Sequence, residues 1–413
     1  MKRIITLLLA LALVMSLLTS CELMVPGQTE TPVYDSRLDS DPNFVHGDFD
    51  TICATEDTVY FAYALDGKIG VPYMEIIHFL DKATGIVSPL CGKPECLHND
   101  STCNAYTTNC YALSVYDGRL YWMEKPMTYS PPPGIYSAAL DGTDRRMIWE
   151  FEREMVPSGL AAKGIFHQGW FFLFGDYQKV ENGEPNRNLY MVAWPLNSEG
   201  ESIVILDEPI GLSALRLSVQ GYGDKVYIIA LNETTGVSQI FRWSLETWEQ
   251  ETVYDGGFPY DGAYGFVMDG ESIVAAGYKL VDDTAEFIGD AYSVGICRYD
   301  FGSGEWGERI PLETRVARRD RLIWPGITED MLVMAGDTDD GLSVFLMDLE
   351  GNVLLDQTYP CDWLEGRHTG FQYCGRDETN VYLYSIGYSN ALFAVALDGS
   401  GARILWDSDT GAY

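Results

Sequence analysis

The residues with the clearest chemical potential are three cysteines and one histidine that lie close together in the sequence. They are Cys91, Cys96, His98 and Cys103, and they follow the spacing C-x4-C-x-H-x4-C. Three thiolates and one imidazole can form a closed tetrahedral zinc site. Such a site would hold together a loop that is too short to form a core. Because four protein ligands leave no open position for water, the predicted role is structural and not catalytic.

The scaffold that carries this insert is repetitive. Residues 135–149 (IYSAALDGTDRRMIW) return almost unchanged at 392–406 (LFAVALDGSGARILW), and the second copy starts 257 residues after the first. The aromatic, Leu, Asp-Gly, Thr/Ser, Arg and terminal Trp positions coincide. Self-similarity over such an interval indicates an architecture built from similar units.

Seven pairs of short apolar runs, bounded by turns that contain Asp or Gly, follow residue 50. Period-two alternation next to Asp-Gly turns is typical of β-hairpins. The first runs lie at 58–61, 119–122, 170–174, 225–229, 272–275, 331–334 and 380–384, and the second runs at 73–80, 135–140, 189–194, 239–244, 295–299, 344–347 and 392–397. The two repeat copies are five units apart, at about 51 residues per unit, which suits four-stranded propeller blades. The sequence therefore predicts an all-β, seven-bladed β-propeller over 48–413, with a Cys/His insert at 91–110.

The DG-[TS]-x-x-R element resembles a known type of propeller repeat. It occupies residues 141–146 and 398–403 and follows a strand led by Tyr or Phe. It is similar to the repeats of TolB-like proteins and of low-density-lipoprotein-receptor-related bacterial lipoproteins. The Cys/His insert also resembles one found in uncharacterised propeller lipoproteins of this kind. These resemblances imply a fold and say little about a ligand.

Disulfide bonds are the alternative chemistry for the cysteines. Cys361 and Cys374 flank one loop and could pair with each other. Cys53 and Cys110 begin the innermost runs of neighbouring blades and could pair too. Cys297 falls in blade 5, about halfway round the ring, so it is expected to stay unpaired. The three cysteines beside the histidine remain, and both a metal site and one disulfide with a free thiol stay open for them.

The N-terminus carries signals for export and anchoring. Lys2 and Arg3 precede an apolar run over 4–18, which is too short for an ordinary membrane span and typical of a signal sequence. The segment L-T-S-C that ends at Cys21 resembles a bacterial lipobox, which implies cleavage before Cys21 and lipidation of its thiol. We therefore predict a lipoprotein signal peptide at 1–20, a flexible tether at 21–47 and an extracytoplasmic protein anchored to the envelope membrane through its lipid.

The charge of the chain argues against nucleic acid as a partner. There are 27 Lys and Arg against 61 Asp and Glu, for a formal net charge of −34, and such a field repels phosphate backbones. One basic run stands out and could bind an anion, although a solvated loop is the simpler interpretation. This run contains Arg315, Arg318, Arg319 and Arg321.

No catalytic residue is predicted, because the H-E-x-x-H, G-x-S-x-G and phosphate-loop motifs are missing from the sequence. The leading hypothesis is a surface-anchored module that binds a protein or glycan through its funnel or a loop face. One alternative is a polysaccharide-acting hydrolase or lyase with carboxylates in the funnel. The other is a scaffold for envelope assembly, which requires an exposed apolar patch. Structural zinc is the one cofactor that the sequence suggests.

Overall fold

The computed structural model describes residues 38–39, 51–64, 74–124, 133–151, 163–181, 184–197, 200–209, 215–232, 235–269, 272–282, 292–312, 326–327, 330–365, 370–386 and 390–409. The predicted signal peptide and Cys21 lie outside these residues. So does the predicted anion-binding run of Arg315, Arg318, Arg319 and Arg321. Within the described residues, no helix is both long and apolar enough to cross a membrane.

The described chain forms seven antiparallel sheets that follow one another along the sequence as propeller blades. Blade 1 consists of β1 (Ile52–Ala54), β2 (Thr58–Ala64), β3 (Met74–Asp81), β4 (Val87–Pro89) and β5 (Tyr106–Thr108). Blade 2 consists of β6 (Cys110–Tyr116), β7 (Arg119–Glu124), β8 (Gly134–Ala139) and β9 (Arg146–Glu150). Blade 3 consists of β10 (Lys163–His167), β11 (Trp170–Glu181), β12 (Glu184–Pro195) and β13 (Ile203–Pro209).

The other four blades complete the ring. Blade 4 consists of β14 (Leu215–Tyr222), β15 (Lys225–Asn232), β16 (Val237–Ser244) and β17 (Gln250–Gly257). Blade 5 consists of β18 (Gly262–Asp269), β19 (Ser272–Leu280), β20 (Tyr292–Asp300), β21 (Glu305–Trp306) and β22 (Ile310–Pro311). Blade 6 consists of β23 (Gly326–Ile327), β24 (Met331–Thr338), β25 (Gly341–Asp348) and β26 (Val353–Tyr359). Blade 7 consists of β27 (Gly370–Arg376), β28 (Asn380–Ile386), β29 (Ala391–Ala396) and β30 (Ala402–Asp407).

Strand order confirms the predicted seven-bladed propeller. In blades 2, 3, 4, 6 and 7 each strand pairs antiparallel with the next one along the chain, whereas in blades 1 and 5 the last two short strands both pair with the third strand. The first strands of neighbouring blades contact one another around the ring, and β1 contacts β27 where blades 1 and 7 meet. The seven predicted pairs of apolar runs fall on the second and third strands of the seven blades. The two copies of the long repeat fall on the third and fourth strands of blades 2 and 7.

The hydrophobic core lies between blades. The buried apolar side chains of the described residues fall into seven clusters, and each cluster is shared by two adjacent blades. Tyr60 of blade 1 packs with Trp122 of blade 2, and Phe61 of blade 1 packs with Trp406 of blade 7. Because both faces of every sheet are covered by neighbours, the strands are apolar on both faces and the ring is closed by side-chain packing.

The fourth strand is irregular in every blade. In blades 2, 3, 4, 6 and 7 a one-residue bulge interrupts its pairing with the third strand. The extra residues are Ile148, Ile205, Val253, Leu354 and Leu405. In blade 5 the interruption is longer, because residues 307–309 separate β21 from β22. In blade 1 it is longest, because 90–105 separate β4 from β5. The Cys/His insert therefore occupies a position where the other blades carry short irregularities.

Two residues of the predicted tether contact the ring. The carbonyl oxygen of Leu38 accepts a hydrogen bond from the N–H of Gln168 at 3.1 Å. Asp39 Oδ1 accepts from the side-chain amide of Gln168 at 3.2 Å and from the N–H of Gly223 at 3.1 Å. Gln168 and Gly223 lie in the turns between the first and second strands of blades 3 and 4, so these two residues link adjacent blades.

Candidate metal centre

The Cys/His loop is an excursion from one strand and is not a connection between two blades. β4 pairs with one half of β3, and β5 pairs with the other half. Between them, Ile77 accepts a hydrogen bond from the N–H of Leu90 and donates its own N–H to the carbonyl oxygen of Ala105, both at 2.8 Å. The chain thus leaves the fourth strand after Leu90 and returns opposite the same residue. Residues 91–104 form a closed loop whose two ends are fixed by the sheet.

Two tight turns place two of the cysteines. The N–H of Cys96 donates to the carbonyl of Lys93 at 3.2 Å, and the N–H of Cys103 donates to the carbonyl of Asp100 at 3.1 Å. Pro94 occupies the second position of the first turn, which its fixed φ favours. In the second turn, Asp100 Oδ1 accepts from the N–H of Thr102 at 2.9 Å and from its hydroxyl at 2.6 Å. Each cysteine is therefore the last residue of a turn that its local sequence encodes.

The loop brings all four predicted ligands together. One ligand atom from each of Cys91, Cys96, His98 and Cys103 lies within 4.8 Å of the other three. His98 Nδ1 lies 3.4 Å from the Sγ of Cys103. Zinc–sulfur bonds of about 2.3 Å in a tetrahedron place sulfur atoms roughly 3.8 Å apart, so small inward shifts suffice to bind the ion. The backbone of His98 has φ of 52°, a left-handed conformation that histidine adopts more readily than most residues other than glycine.

The thiols lie in a partly dry environment. Cys103 is only 1% exposed, and burial raises the pKa of its thiol to about 12. Burial also opposes ionisation of Cys91, but hydrogen bonds from the N–H groups of Lys93 and Asn104 and from the neighbouring thiols outweigh it and lower its pKa. A divalent cation favours the thiolate form of every cysteine it binds. The intervening Leu97 is 82% exposed, so it adds little apolar burial to the loop.

Blade 2 contacts the Cys/His loop at both of its ends. The side-chain amide of Asn104 donates to the carbonyl of Gly142 at 2.9 Å, in the turn between β8 and β9. The hydroxyl of Tyr60 donates to the carbonyl of Leu140 in the same turn at 3.2 Å. Gly142 also lies against the backbone of Leu90. The candidate centre is therefore positioned where blades 1 and 2 meet.

A buried polar network, which no motif in the sequence predicts, lies beneath this contact. Glu124 is 1% exposed and accepts hydrogen bonds from Trp122 Nε1 at 3.0 Å, from Arg145 at 2.9 Å and from Thr108 Oγ1 at 3.3 Å. Glu75 lies nearby, and burial raises its pKa to about 7. Because Glu124 is covered and held by three donors, it stabilises the contact between blades and is not positioned to act on a substrate.

The other cysteines are distributed as follows. Cys53 is the second residue of β1 and Cys110 is the first residue of β6, and both belong to the hydrophobic cluster of blades 1 and 2. Cys361 packs in the cluster of blades 6 and 7, whereas Cys374 belongs to that of blades 7 and 1. Cys297 is a buried thiol on β20. Disulfide bonds between Cys53 and Cys110 and between Cys361 and Cys374 stay predictions.

Comparison with known proteins extends the description of the fold. No protein-family model and no curated protein matches this chain. An acylaminoacyl peptidase in complex with Z-Gly-Gly-Phe-chloromethyl ketone is similar with a TM-score of 0.51 and 11% identity, over 91% of this chain and 54% of that one. The acylaminoacyl peptidase of Pyrococcus horikoshii gives 0.52 and 12%, over 87% and 52%. A prolyl endopeptidase gives 0.51 and 11%, over 90% and 50%.

The likeness shows the fold. At 11–12% identity these proteins share a chain path with the present ring, and nothing finer follows from the comparison. The chain spans about half the length of these peptidases. The comparison therefore concerns the architecture that carries the candidate ligands and not the ligands themselves.

Proposed function

We propose that this chain is a lipid-anchored β-propeller that binds a protein or glycan partner, and that a structural zinc ion closes the Cys/His loop of blade 1 beside its contact with blade 2. The zinc ion would be bound by Cys91, Cys96, His98 and Cys103. The observation that carries the zinc assignment is the convergence of these four ligand atoms within 4.8 Å in a loop closed at both ends by the sheet.

The ligand set favours zinc in a structural role. Soft thiolates with one imidazole suit zinc, and four protein ligands complete its tetrahedron. Such a centre has no open position for an activated water molecule, so its contribution is to stability. The loop supports this role, because its residues from Gly92 to Glu95 are exposed and provide little apolar burial.

The binding role rests on the scaffold and on the N-terminal sequence. A closed ring with a core at every blade contact is a rigid support for loops that differ from blade to blade. The lipobox that ends at Cys21 supports attachment to an envelope membrane. The strongly negative net charge of −34 favours partners without phosphate backbones.

Zinc binding is the first expected result. The mature protein, purified with a reductant and without chelators, should contain about one zinc ion per chain by elemental mass spectrometry. Cys96→Ser should lose the metal, because three ligands bind zinc far more weakly than four. Cys297→Ser is the control, since it makes the same substitution at a cysteine that lies outside the cluster, and it should retain the metal. A metal-free wild-type protein with a disulfide among Cys91, Cys96 and Cys103 would instead support the alternative chemistry.

Anchoring and partner binding form a second expected result. In a bacterial host, the wild-type protein should incorporate a labelled fatty acid and partition into detergent, whereas Cys21→Ser should do neither. The ring without its anchor should retain a glycan or protein on an array or in a pull-down. Equal labelling of both forms would contradict the anchor, and uniformly negative binding to both classes of partner would count against the binding role.

A further inference from the structure

Arg145 connects the candidate metal centre to the interior of blade 2. One terminal nitrogen of its guanidinium donates to Glu124 Oε1 at 2.9 Å, and the other donates to the carbonyl oxygen of Cys103 at 3.4 Å. The guanidinium carbon lies 5.7 Å from the ring centroid of Trp122 and 5.2 Å from that of Tyr136. The guanidinium group is therefore held by Glu124 and the two aromatic rings, while its second terminal nitrogen donates to the backbone of the candidate ligand Cys103.

This arrangement is absent from blade 7, which carries the other copy of the long repeat. In the long repeat, the position of Arg145 is occupied in blade 7 by Ala402. The strand pairing places Leu383, Ser385 and Phe393 of blade 7 at the positions of Trp122, Glu124 and Tyr136, respectively. Blade 7 therefore lacks the arginine, the carboxylate and the indole of this network and keeps only an aromatic ring at the position of Tyr136. The adjacent Arg146, by contrast, is the arginine that the repeat shares, since blade 7 has Arg403 there.

The two contacts of Arg145 depend on the shape of its side chain. A guanidinium is planar and presents donors in a fixed fork, so one group can bind a carboxylate and a carbonyl at once. An ammonium group offers a compact charge and does not reproduce this geometry. The Glu124 partner of Arg145 is buried, and the bond to this carboxylate fixes the orientation of the guanidinium group. The other terminal nitrogen then points at the carbonyl oxygen of Cys103.

We propose that Arg145 is a positioning residue for the metal centre, which it serves by fixing the backbone of Cys103 so that this thiol faces the other three ligands. This inference rests on the proposed zinc function. Groups outside the ligand set that orient the ligands typically contribute a factor of about 10–100 to metal affinity. Arg145 would act from the neighbouring blade, and zinc binding would thereby be coupled to correct packing of blades 1 and 2.

The test compares two adjacent arginines. Zinc affinity is measured by competition with a chromophoric chelator for the wild type, Arg145→Lys and Arg146→Lys, and Co²⁺ absorption reports the ligand geometry. We expect Arg145→Lys to bind zinc at least about tenfold more weakly, with a changed Co²⁺ spectrum. Arg146→Lys should remain within about twofold of the wild type, because Arg146 is exposed. Equal affinities and identical spectra for all three proteins would overturn the proposal.

A second variant keeps the proposal testable if Arg145→Lys fails to fold. Glu124→Gln keeps an acceptor oxygen for Trp122 Nε1 and places an amide N–H that can donate to the Thr108 hydroxyl, but it removes the charge that fixes Arg145, so zinc affinity should again fall. Urea denaturation of each metal-free variant separates a loss of positioning from a general loss of stability. If the wild type binds no zinc, the proposed zinc function fails. If it binds zinc and both variants bind equally well, only the role of Arg145 fails.

Discussion

Replacing Gly142 by alanine should lower the free energy of unfolding by about 3–4 kcal/mol, the sum of backbone strain and overpacking. Gly142 has φ of +78°, which disfavours any residue with a Cβ. An added Cβ would overlap the carbonyl oxygen of Leu90 and lie 2.7 Å from its carbonyl carbon. Leu90 is the last residue before the Cys/His loop, and its N–H donates to the carbonyl of Ile77. A shift of its backbone that relieved the overlap would weaken this hydrogen bond.

The repeat supplies a matched control for this prediction. Gly399 occupies the same position of the Asp-Gly turn in blade 7, with φ of +75°. A Cβ there would meet only the ends of two flexible side chains, Gln357 Nε2 at 3.0 Å and Leu355 Cδ1 at 3.2 Å. Gly399→Ala should therefore cost only the backbone strain of about 1–2 kcal/mol. Equal losses in urea denaturation of the two variants would show that the backbone of Leu90 does not restrict the turn.

Removing Arg145 should be the most destabilising change of a charged residue at this contact between blades. Arg145→Ala would leave the carboxylate of Glu124, which is 1% exposed, without its counter-ion, and breaking a buried pair in this way costs about 3–5 kcal/mol. The loss should be read as a shift of the urea denaturation curve of the metal-free protein, so that zinc affinity does not contribute.

Two comparisons make this prediction specific. Arg242 and Glu251 also form a close ion pair at 2.6 Å, but their side chains are 28% and 58% exposed, so Arg242→Ala should cost less than about 1 kcal/mol. Combining Arg145→Ala with Glu124→Gln should recover part of the stability, because no uncompensated charge remains buried. A double variant that is less stable than Arg145→Ala alone would contradict the assigned cause.

The sequence predicted the number of blades because this information is local. Period-two apolar runs next to Asp-Gly turns identify hairpins directly, and all seven pairs fall on strands. The ligand set at 91–103 was equally local, because its four residues lie within one short loop. The sequence did not predict that the loop interrupts the fourth strand of blade 1. That position depends on the hydrogen bonds of Ile77 with both Leu90 and Ala105.

The network of Glu124 and Arg145 was missed for a related reason. The two residues lie on different elements, and nothing in their spacing marks them as a pair. One signal was nevertheless present, because Arg145 departs from the repeat where Ala402 stands in the other copy. Charged residues that break an otherwise faithful repeat indicate contacts that only one unit makes. In this chain they mark the blade that faces the Cys/His loop.

The bulges of the fourth strands have a consequence for association between molecules. Every outermost strand offers backbone donors and acceptors on its outer side, and a regular strand of this kind is a template for edge-to-edge aggregation. An extra residue such as Ile148 or Leu405 twists the strand and breaks the register that a second chain would need. A ring with seven outward edges multiplies this hazard, and interruption of the edge in every blade disfavours the pairing of one copy with another.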